Sequence, residues 1–423
     1  MLILLLTVLT FIFTILFIEN FLLTGGKSMR IYADNAATTK LSDSALNTML
    51  PYMQDHFGNP SSLYTLGQEA KAAIESARTQ IARCIGASAR EITFTSGGSE
   101  SDNQAIISAA HIGAASGKKH IISSKIEHHA VLHTLDALAK QGFEITLLDV
   151  DKNGLINPSE VESAIRPDTC LVSIMFANNE IGTIEPVAAI GSICRQHNII
   201  FHTDAVQAAG HIPIDVNALA IDMLSISAHK FHGPKGIGAL YVKKGIPISS
   251  IINGGGQERG KRAGTENVPA IIGMASALTE AVANMDANNS YTLELRNRLI
   301  AGLSQIPHSI LNGDAKSRLP GNINFCFEAV EGESLLLLLD NKGICASSGS
   351  ACASGSLDPS HVLLALGRSH EIAHSSLRLS INEQNTIEEI DFLVKTITET
   401  VSYLRSMSPV WQQLTSGERK YQL

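Results

Sequence analysis

The chain has 423 residues, 44% of them hydrophobic and 17% charged, and its 32 basic and 40 acidic side chains leave a net charge of −8. That length buries a large core and predicts two or three folding units, while the acidic balance and the single Trp exclude the basic, aromatic face of a nucleic-acid binder. Six cysteines, none in a C-x-x-C pair, exclude a zinc knuckle or a thioredoxin-like site and fit a reducing compartment better than a disulfide framework.

In chain order the first element is an apolar run. Leu2 to Ile18 carries no charge and is barely long enough to cross a bilayer. It lacks the basic start and small-residue cleavage site of a secretory signal, and the first cations, Lys27 and Arg30, follow it. Two expectations stand for residues 1–28. One is a membrane anchor that keeps the remainder cytoplasmic. The other is a start assigned too far upstream, because Met29-Arg30-Ile31-Tyr32-Ala33-Asp34 reads as the opening of a soluble enzyme. The catalytic part is cytoplasmic in both.

A helical stretch from Ser62 to Ile85 follows, then seven apolar or β-branched runs: Glu91–Ser96, His120–Lys125, Phe143–Val150, Cys170–Ala177, Asn198–Ala205, Asp222–Ala228 and Gly238–Lys243. Helical spacing separates most of them, as in Ser101–Ala115, His128–Lys140 and Pro186–His197. This alternation predicts an α/β unit with a seven-stranded, mostly parallel sheet covered by helices. After Asn284 the pattern changes to a charged helix (Ser290–Gln305), a strand (Gly321–Phe327), an apolar helix (Glu333–Asp340), a strand (Ser376–Ile381) and a final amphipathic helix (Thr386–Arg405). The expected division is a large domain over 29–285, with 29–40 packing on its neighbour, and a smaller α+β C-terminal domain over 286–423.

Ligands of α/β sheets collect at the carboxyl ends of strands, and three polar clusters fall there. The first strand ends in Ser96-Gly97-Gly98-Ser99-Glu100-Ser101 before a helix, where backbone N–H groups and the helix N-terminus suit a phosphate. Asp204 ends an apolar strand, where a carboxylate needs a cation such as a protonated pyridine nitrogen; a helix N-cap is the plainer role. Lys230 stands between an apolar strand and a Gly233-Pro234 turn, where desolvation would make its amine a nucleophile. Any one of the three is unremarkable on its own; their coincidence at strand ends in one domain favours a site.

Asp34-Asn35-Ala36-Ala37-Thr38-Thr39, Ser99-Glu100-Ser101-Asp102-Asn103, Glu127-His128-His129-Ala130, Asn178-Asn179-Glu180-Ile181-Gly182, Asp204-Ala205-Val206-Gln207, Ser227-Ala228-His229-Lys230 and Gly264-Thr265 occur in this order. Together, over residues 30 to 405, they resemble the cysteine desulfurases, fold-type I pyridoxal 5'-phosphate (PLP) transferases of the class V aminotransferase group. The resemblance implies that Lys230 holds PLP and moves the substrate Cα proton, that Asp204 pairs with the ring nitrogen, and that His128 stacks on the ring and helps with proton transfer. It further implies that Gln207 and Asn179 contact the ring oxygen and the substrate side, and that Gly98, Ser99, Ser227 and His229 hold the phosphate. Thr265 would reach the phosphate from a second subunit, implying a homodimer. Arg378, in Ser376-Leu377-Arg378, would clamp the substrate carboxylate through a bidentate guanidinium.

The segment Ala346–Ser356 contains only Ala, Ser, Gly and Cys352. Side chains this small bury little, so a mobile loop is expected. Its Ser348-Gly349-Ser350-Ala351-Cys352 string is similar to the persulfide loop of the desulfurases that feed iron–sulfur assembly. That likeness implies L-cysteine as substrate, alanine as product, and a persulfide on Cys352 passed to an iron–sulfur scaffold or another acceptor protein. No metal is expected from this chain alone, although family members can share a cluster at this cysteine with a scaffold. A selenocysteine lyase or an aminotransferase of the same fold is the alternative. The aminotransferase would have no need of Cys352.

Overall fold

The computed structural model describes residues 30–348 and 359–423. The expected anchor or extension at residues 1–28, and Cys352 itself, lie outside the described residues. A short strand β1 (Ile31–Tyr32) leads to helices α1 (Asp43–Gln54) and α2 (Thr65–Cys84). Strands and helices then alternate through β2 (Ile92–Thr95), α3 (Gly98–Ala115), β3 (His120–Ser124), α4 (His129–Ala139), β4 (Glu144–Leu148), α5 (Pro158–Ala164), β5 (Thr169–Ser173), α6 (Val187–Gln196), β6 (Ile200–Asp204), β7 (Met223–Ser227) and β8 (Gly238–Val242). After α7 (Val268–Ala283) and α8 (Met285–Leu303) come β9 (Ser309–Leu311), β10 (Asn322–Phe327), α9 (Gly332–Asp340), β11 (Ile344–Cys345), α10 (His361–Ala365), α11 (His370–His374), β12 (Ser376–Ser380), α12 (Ile387–Met407) and α13 (Pro409–Thr415).

The main sheet has seven strands in the order β2-β8-β7-β6-β5-β3-β4. Strand β8 runs antiparallel to both neighbours and the other pairs are parallel. This is the mostly parallel α/β sheet that the seven runs predict. Strands β5, β7 and β8 are buried at every position because helices cover both faces, so they read as unbroken apolar runs. At the edge, β4 is buried only at Leu148.

Apolar side chains gather in two main cores. One, including Ile74, Ile81, Phe201 and Met274, lies between the sheet and helices α2, α6 and α7. The other joins Leu295, Leu299, Phe325, Leu377, Ile390 and Ile397 around a three-stranded sheet of order β12-β10-β9. Ile31 and Ala33 belong to this second core, because β1 pairs in parallel with β11. The helix α12 carries its apolar residues at helical spacing (Ile390, Leu393, Ile397, Val401) and starts at a capping box between Thr386 and Glu389. Among the described residues no single helix is long and apolar enough to cross a membrane. The apolar pair α7–α8 is bent by 71°, and Ile271, Met274 and Leu278 of α7 are buried in the protein.

One buried ion pair ties the loop after β8 to the site-bearing strand β2. Arg78 of α2 donates to both carboxylate oxygens of Glu258, each at 2.7 Å, and to the Ile92 carbonyl at 3.0 Å. Glu258 also accepts the Phe94 N–H at 2.8 Å, and both charged side chains are at most 4% exposed. Removing one partner of such a pair strands the other charge in a dry place. Arg78→Met therefore lowers stability by about 3–5 kcal/mol, measured as a shift of the urea unfolding curve. A loss under about 1 kcal/mol would show the pair to be hydrated.

Candidate active site

The carboxyl ends of β6 and β7 and the N-termini of α3 and α4 converge on a cavity of about 360 Å³. Asp204 is the last residue of β6 and Ser227 the last of β7, with Lys230 one short turn further on. Gly98 opens α3, and His128 caps α4. Asn179, Gln207, His229, Ser99 and Arg378 complete the set of expected residues that line the same cavity. Thr265 does not line it; it is exposed in the loop before α7.

Each polar group is held by the local fold. The Lys230 Nζ donates to the carbonyls of Ala36 at 2.5 Å and Ala37 at 2.8 Å. The Asp204 Oδ1 accepts the Val206 N–H at 2.9 Å, closing a turn where the expected N-cap role would have placed a helix. Burial pushes the Asp204 carboxyl upward, against the Val206 amide and the positive charge of Lys230. The His128 Nδ1 accepts the Ala130 N–H at 3.1 Å, which leaves Nε2 to carry the proton of the neutral ring. Burial first, and then the charge of Lys230, push the basicity of His128 down to about 4. Burial and Lys230 likewise bring His229 down to about 4, and its Nδ1 lies 3.1 Å from the Thr38 hydroxyl. Gln207 donates its amide to the Ala36 carbonyl at 3.0 Å.

Arg378, on β12, is 2% exposed. Its Nη2 meets Asp34 Oδ1 at 2.8 Å and its Nη1 donates to the Asn179 carbonyl at 3.2 Å. The buried Nε has no hydrogen-bond partner, so the guanidinium holds a donor in reserve. Through its backbone Arg378 also pairs with Ser347, whose carbonyl accepts the Arg378 N–H at 2.7 Å. At the other flank of residues 349–358 the Ser360 hydroxyl donates to the buried Glu180 carboxylate, and His361 Nε2 donates to the Glu127 carbonyl at 3.0 Å. Both flanks of the segment carrying Cys352 are thus tied to residues of the cavity wall.

Among the wall residues that escaped the sequence analysis as site residues are Asp102, Glu127, Glu180 and His361. The first three lie inside quoted strings, but nothing in a string shows that a carboxyl is buried. Burial pushes Glu127 up to about 8, against hydrogen bonds from the Ser124 hydroxyl and the Met175 N–H. Helical spacing could have found Asp102, which stands four residues after Gly98 and so faces the same way. His361 opens a helix nine positions after Cys352, the one cue available for it.

The residues present fit PLP. A Cβ at Gly98 would stand 2.6 Å from Val206 Cγ2, so only glycine lets the chain pass there at the start of α3, where N–H groups await a phosphate. Asp204 is a desolvated carboxylate that calls for a cation, and Lys230 brings a primary amine to the same cavity. Among the described residues no group of three His, Cys, Asp or Glu could hold a metal ion.

Residues 31–393 match the family described as Aminotransferase class-V. The chain is 56% identical over 380 residues to the cysteine desulfurase IscS of Methanosarcina thermophila, an alignment that covers 90% of this chain and 94% of that protein. Among solved structures, a NifS-like protein superposes with a TM-score of 0.84 at 40% identity, covering 89% of this chain and all of that one. A structure of SspA in complex with cysteine superposes with a TM-score of 0.74 at 38% identity, covering 83% and 98% of the two chains. Sheet order, cavity and likenesses together define a fold-type I enzyme whose cofactor is PLP. The chain belongs to the class-V aminotransferase family and, within it, to the cysteine desulfurases.

Since burial and a neighbouring cation both disfavour imidazolium, His128 stays neutral through the physiological range. In the cofactor-free protein its ring signals should titrate near pH 4 by NMR. A midpoint at the ordinary value, about 6.5, would mean that the ring is in water.

Proposed function

We infer that the chain is a PLP-dependent cysteine desulfurase acting on L-cysteine, with Lys230 and Cys352 as its two working nucleophiles. The observation that carries this reading is the meeting of Lys230, Asp204, His128 and Arg378 in one cavity whose wall is tied to both flanks of the Cys352 segment. When bound, PLP supplies an electron sink that weakens the bond between Cβ and sulfur of the substrate.

The chain's own residues divide the remaining work. Gly98, Ser99, Ser227 and His229 would hold the phosphate, and Asp204 would face the ring nitrogen as its counter-charge. Asn179 and Gln207 would contact the ring oxygen and the substrate side. The Arg378 guanidinium would take the substrate carboxylate, a planar anion matching its donor fork. Lys230 would remove the Cα proton, and His128, neutral and protonated on Nε2, would help place it. The Cys352 thiolate attacks the substrate sulfur. An S–S bond forms, the C–S bond breaks, its electron pair is protonated at carbon, and the products are alanine and an enzyme persulfide. An iron–sulfur scaffold or another acceptor thiol then draws off the sulfur.

We further infer a homodimer and a division into units 29–285 and 286–423. In support, Met53, Phe57, Leu63 and Tyr64, on α1 and the chain after it, are 61%, 73%, 94% and 60% exposed, an apolar strip suited to a second copy. Thr265, exposed and outside its own cavity, is free to complete the phosphate site of that copy. Sedimentation should give twice the chain mass of 45.2 kDa. A monomer at micromolar concentration would remove Thr265 from the site.

The decisive assay follows sulfide and alanine release from L-cysteine by the wild type, Lys230→Ala and Cys352→Ala. Both variants should lose at least about a hundredfold, with Cys352→Ala retaining the yellow bound cofactor. Undiminished sulfur release without Cys352 would refute the persulfide role and favour an aminotransferase-like or lyase chemistry.

A further inference from the structure

The loop between β8 and α7 is long, yet three contacts fix it to the elements that build the phosphate end of the cavity. Glu258 pairs with Arg78 and accepts the Phe94 N–H of β2. Further along the loop, Arg262 grips the first turn of α3: its Nε donates to Glu100 Oε1 at 2.9 Å and its Nη2 to Glu100 Oε2 at 3.3 Å. One turn deeper in α3, the buried Gln104 donates its amide to the Lys261 carbonyl at 2.7 Å and to the Ser249 carbonyl at 3.1 Å. Glu100 and Gln104 stand at i and i+4, so one face of α3 holds the loop at two successive turns. Beyond this grip, Gln257 accepts the Gly264 N–H at 3.0 Å, and the Asn267 side chain caps α7. Thr265 is exposed between these two fixed points.

Glu100 is an awkward neighbour for a phosphate. It is the third residue of α3, directly after Gly98 and Ser99, and its side chain is 8% exposed. A carboxylate there would repel an anion at the same helix end unless a cation answered it. Arg262 is that cation. Burial opposes ionisation of Glu100, but the hydrogen bonds from Arg262 and the Ser96 N–H outweigh it and hold the carboxyl below its ordinary range. The first turn of α3 thus keeps its N–H groups for a phosphate while its acid is committed to the loop.

We propose that Glu100 and Arg262 are positioning residues for the cofactor site of a second copy: gripped by the first turn of α3, the loop holds Thr265 out rigidly to the phosphate in the partner's cavity. The proposal rests on the dimer reading given above, in which Thr265 completes the phosphate site of that copy. A threonine on a slack loop would lose to ordering entropy much of what its hydroxyl gains from a phosphate, whereas one held on both sides does not. Because the grip is made on the chain's own phosphate cup, each cup is built beside the loop that serves the other.

The test uses mixed dimers of the full chain in which one subunit carries Lys230→Ala and cannot tether PLP. The yellow absorbance of tethered cofactor then reports only the other cavity, whose own residues are all wild type. Placed in the Lys230→Ala subunit, Arg262→Met should weaken PLP binding at that cavity about tenfold, the loss of one charge-assisted hydrogen bond. Glu100→Gln in the same place should cost about threefold, since its amide keeps one acceptor. Thr265→Ala should match Arg262→Met, and the two together should be no weaker than either alone, because the grip acts through the threonine hydroxyl. Co-sedimentation of the two subunits shows that each variant is folded. Unchanged affinity with Arg262→Met beside a tenfold loss with Thr265→Ala would overturn the proposal, and so would additive losses. No loss with Thr265→Ala, or a monomer in sedimentation, would bring down the dimer reading first and the proposal with it.

Discussion

A carboxylate taken out of water at the end of β6 is the constraint on which the rest of the site depends. Asp204 is 6% exposed, and among the described residues the groups that favour its charge are one backbone amide and the amine of Lys230. A buried anion of this kind costs several kcal/mol unless a cation answers it. The cavity in front of Asp204 therefore has a defined electrostatic demand before any ligand arrives. A flat cation bearing a phosphate would answer Asp204 with its charge and the N-terminus of α3 with its phosphate.

Meeting the demand requires segments far apart in sequence to stay in register. Lys230 reaches the carbonyls of Ala36 and Ala37, Gln207 reaches Ala36, and the Thr39 hydroxyl donates to the His229 carbonyl. The strip from Ile31 to Thr39 is thus one wall of the site. Its other edge is fixed elsewhere: Ile31 pairs with Ile344 on β11, and the Asn35 amide donates to the Ser380 carbonyl at the end of β12. The same strip supplies Asp34 to Arg378. A shift of one residue in the β1–β11 register would move the lysine's acceptors and the arginine's counter-charge together.

The legibility of the chain followed local physics. Seven strands could be read because β-branched runs bounded by turns have few other homes, and α12 because its apolar residues keep one face. Helix α7 could not, since apolar residues surround it and leave no periodicity to read. The site divided in the same way. Lys230 and Asp204 announce themselves as charges at the ends of apolar strands, but Arg378 lies inside a strand pattern and only the family likeness singled it out. Asp102 and Glu127 were invisible as site residues because what makes them unusual is burial by helices and strands remote in sequence. Thr265 lies outside the cavity of its own chain, so the role that the family likeness implies for it would need a second copy.

Arg378 joins two tasks that are usually assigned to different residues. Its side chain faces Asp34 and Asn179 in the cavity wall, while its backbone pairs with Ser347 in both directions. With a substrate carboxylate on the guanidinium, the start of the Cys352 segment is therefore separated from the substrate by the length of a single side chain. The far flank is held by Ser360 on Glu180, the neighbour of Asn179, so both flanks refer to the same corner of the cavity. Under the role proposed for Cys352, these two anchors would bring both ends of its segment to the corner where the substrate carboxylate would lie.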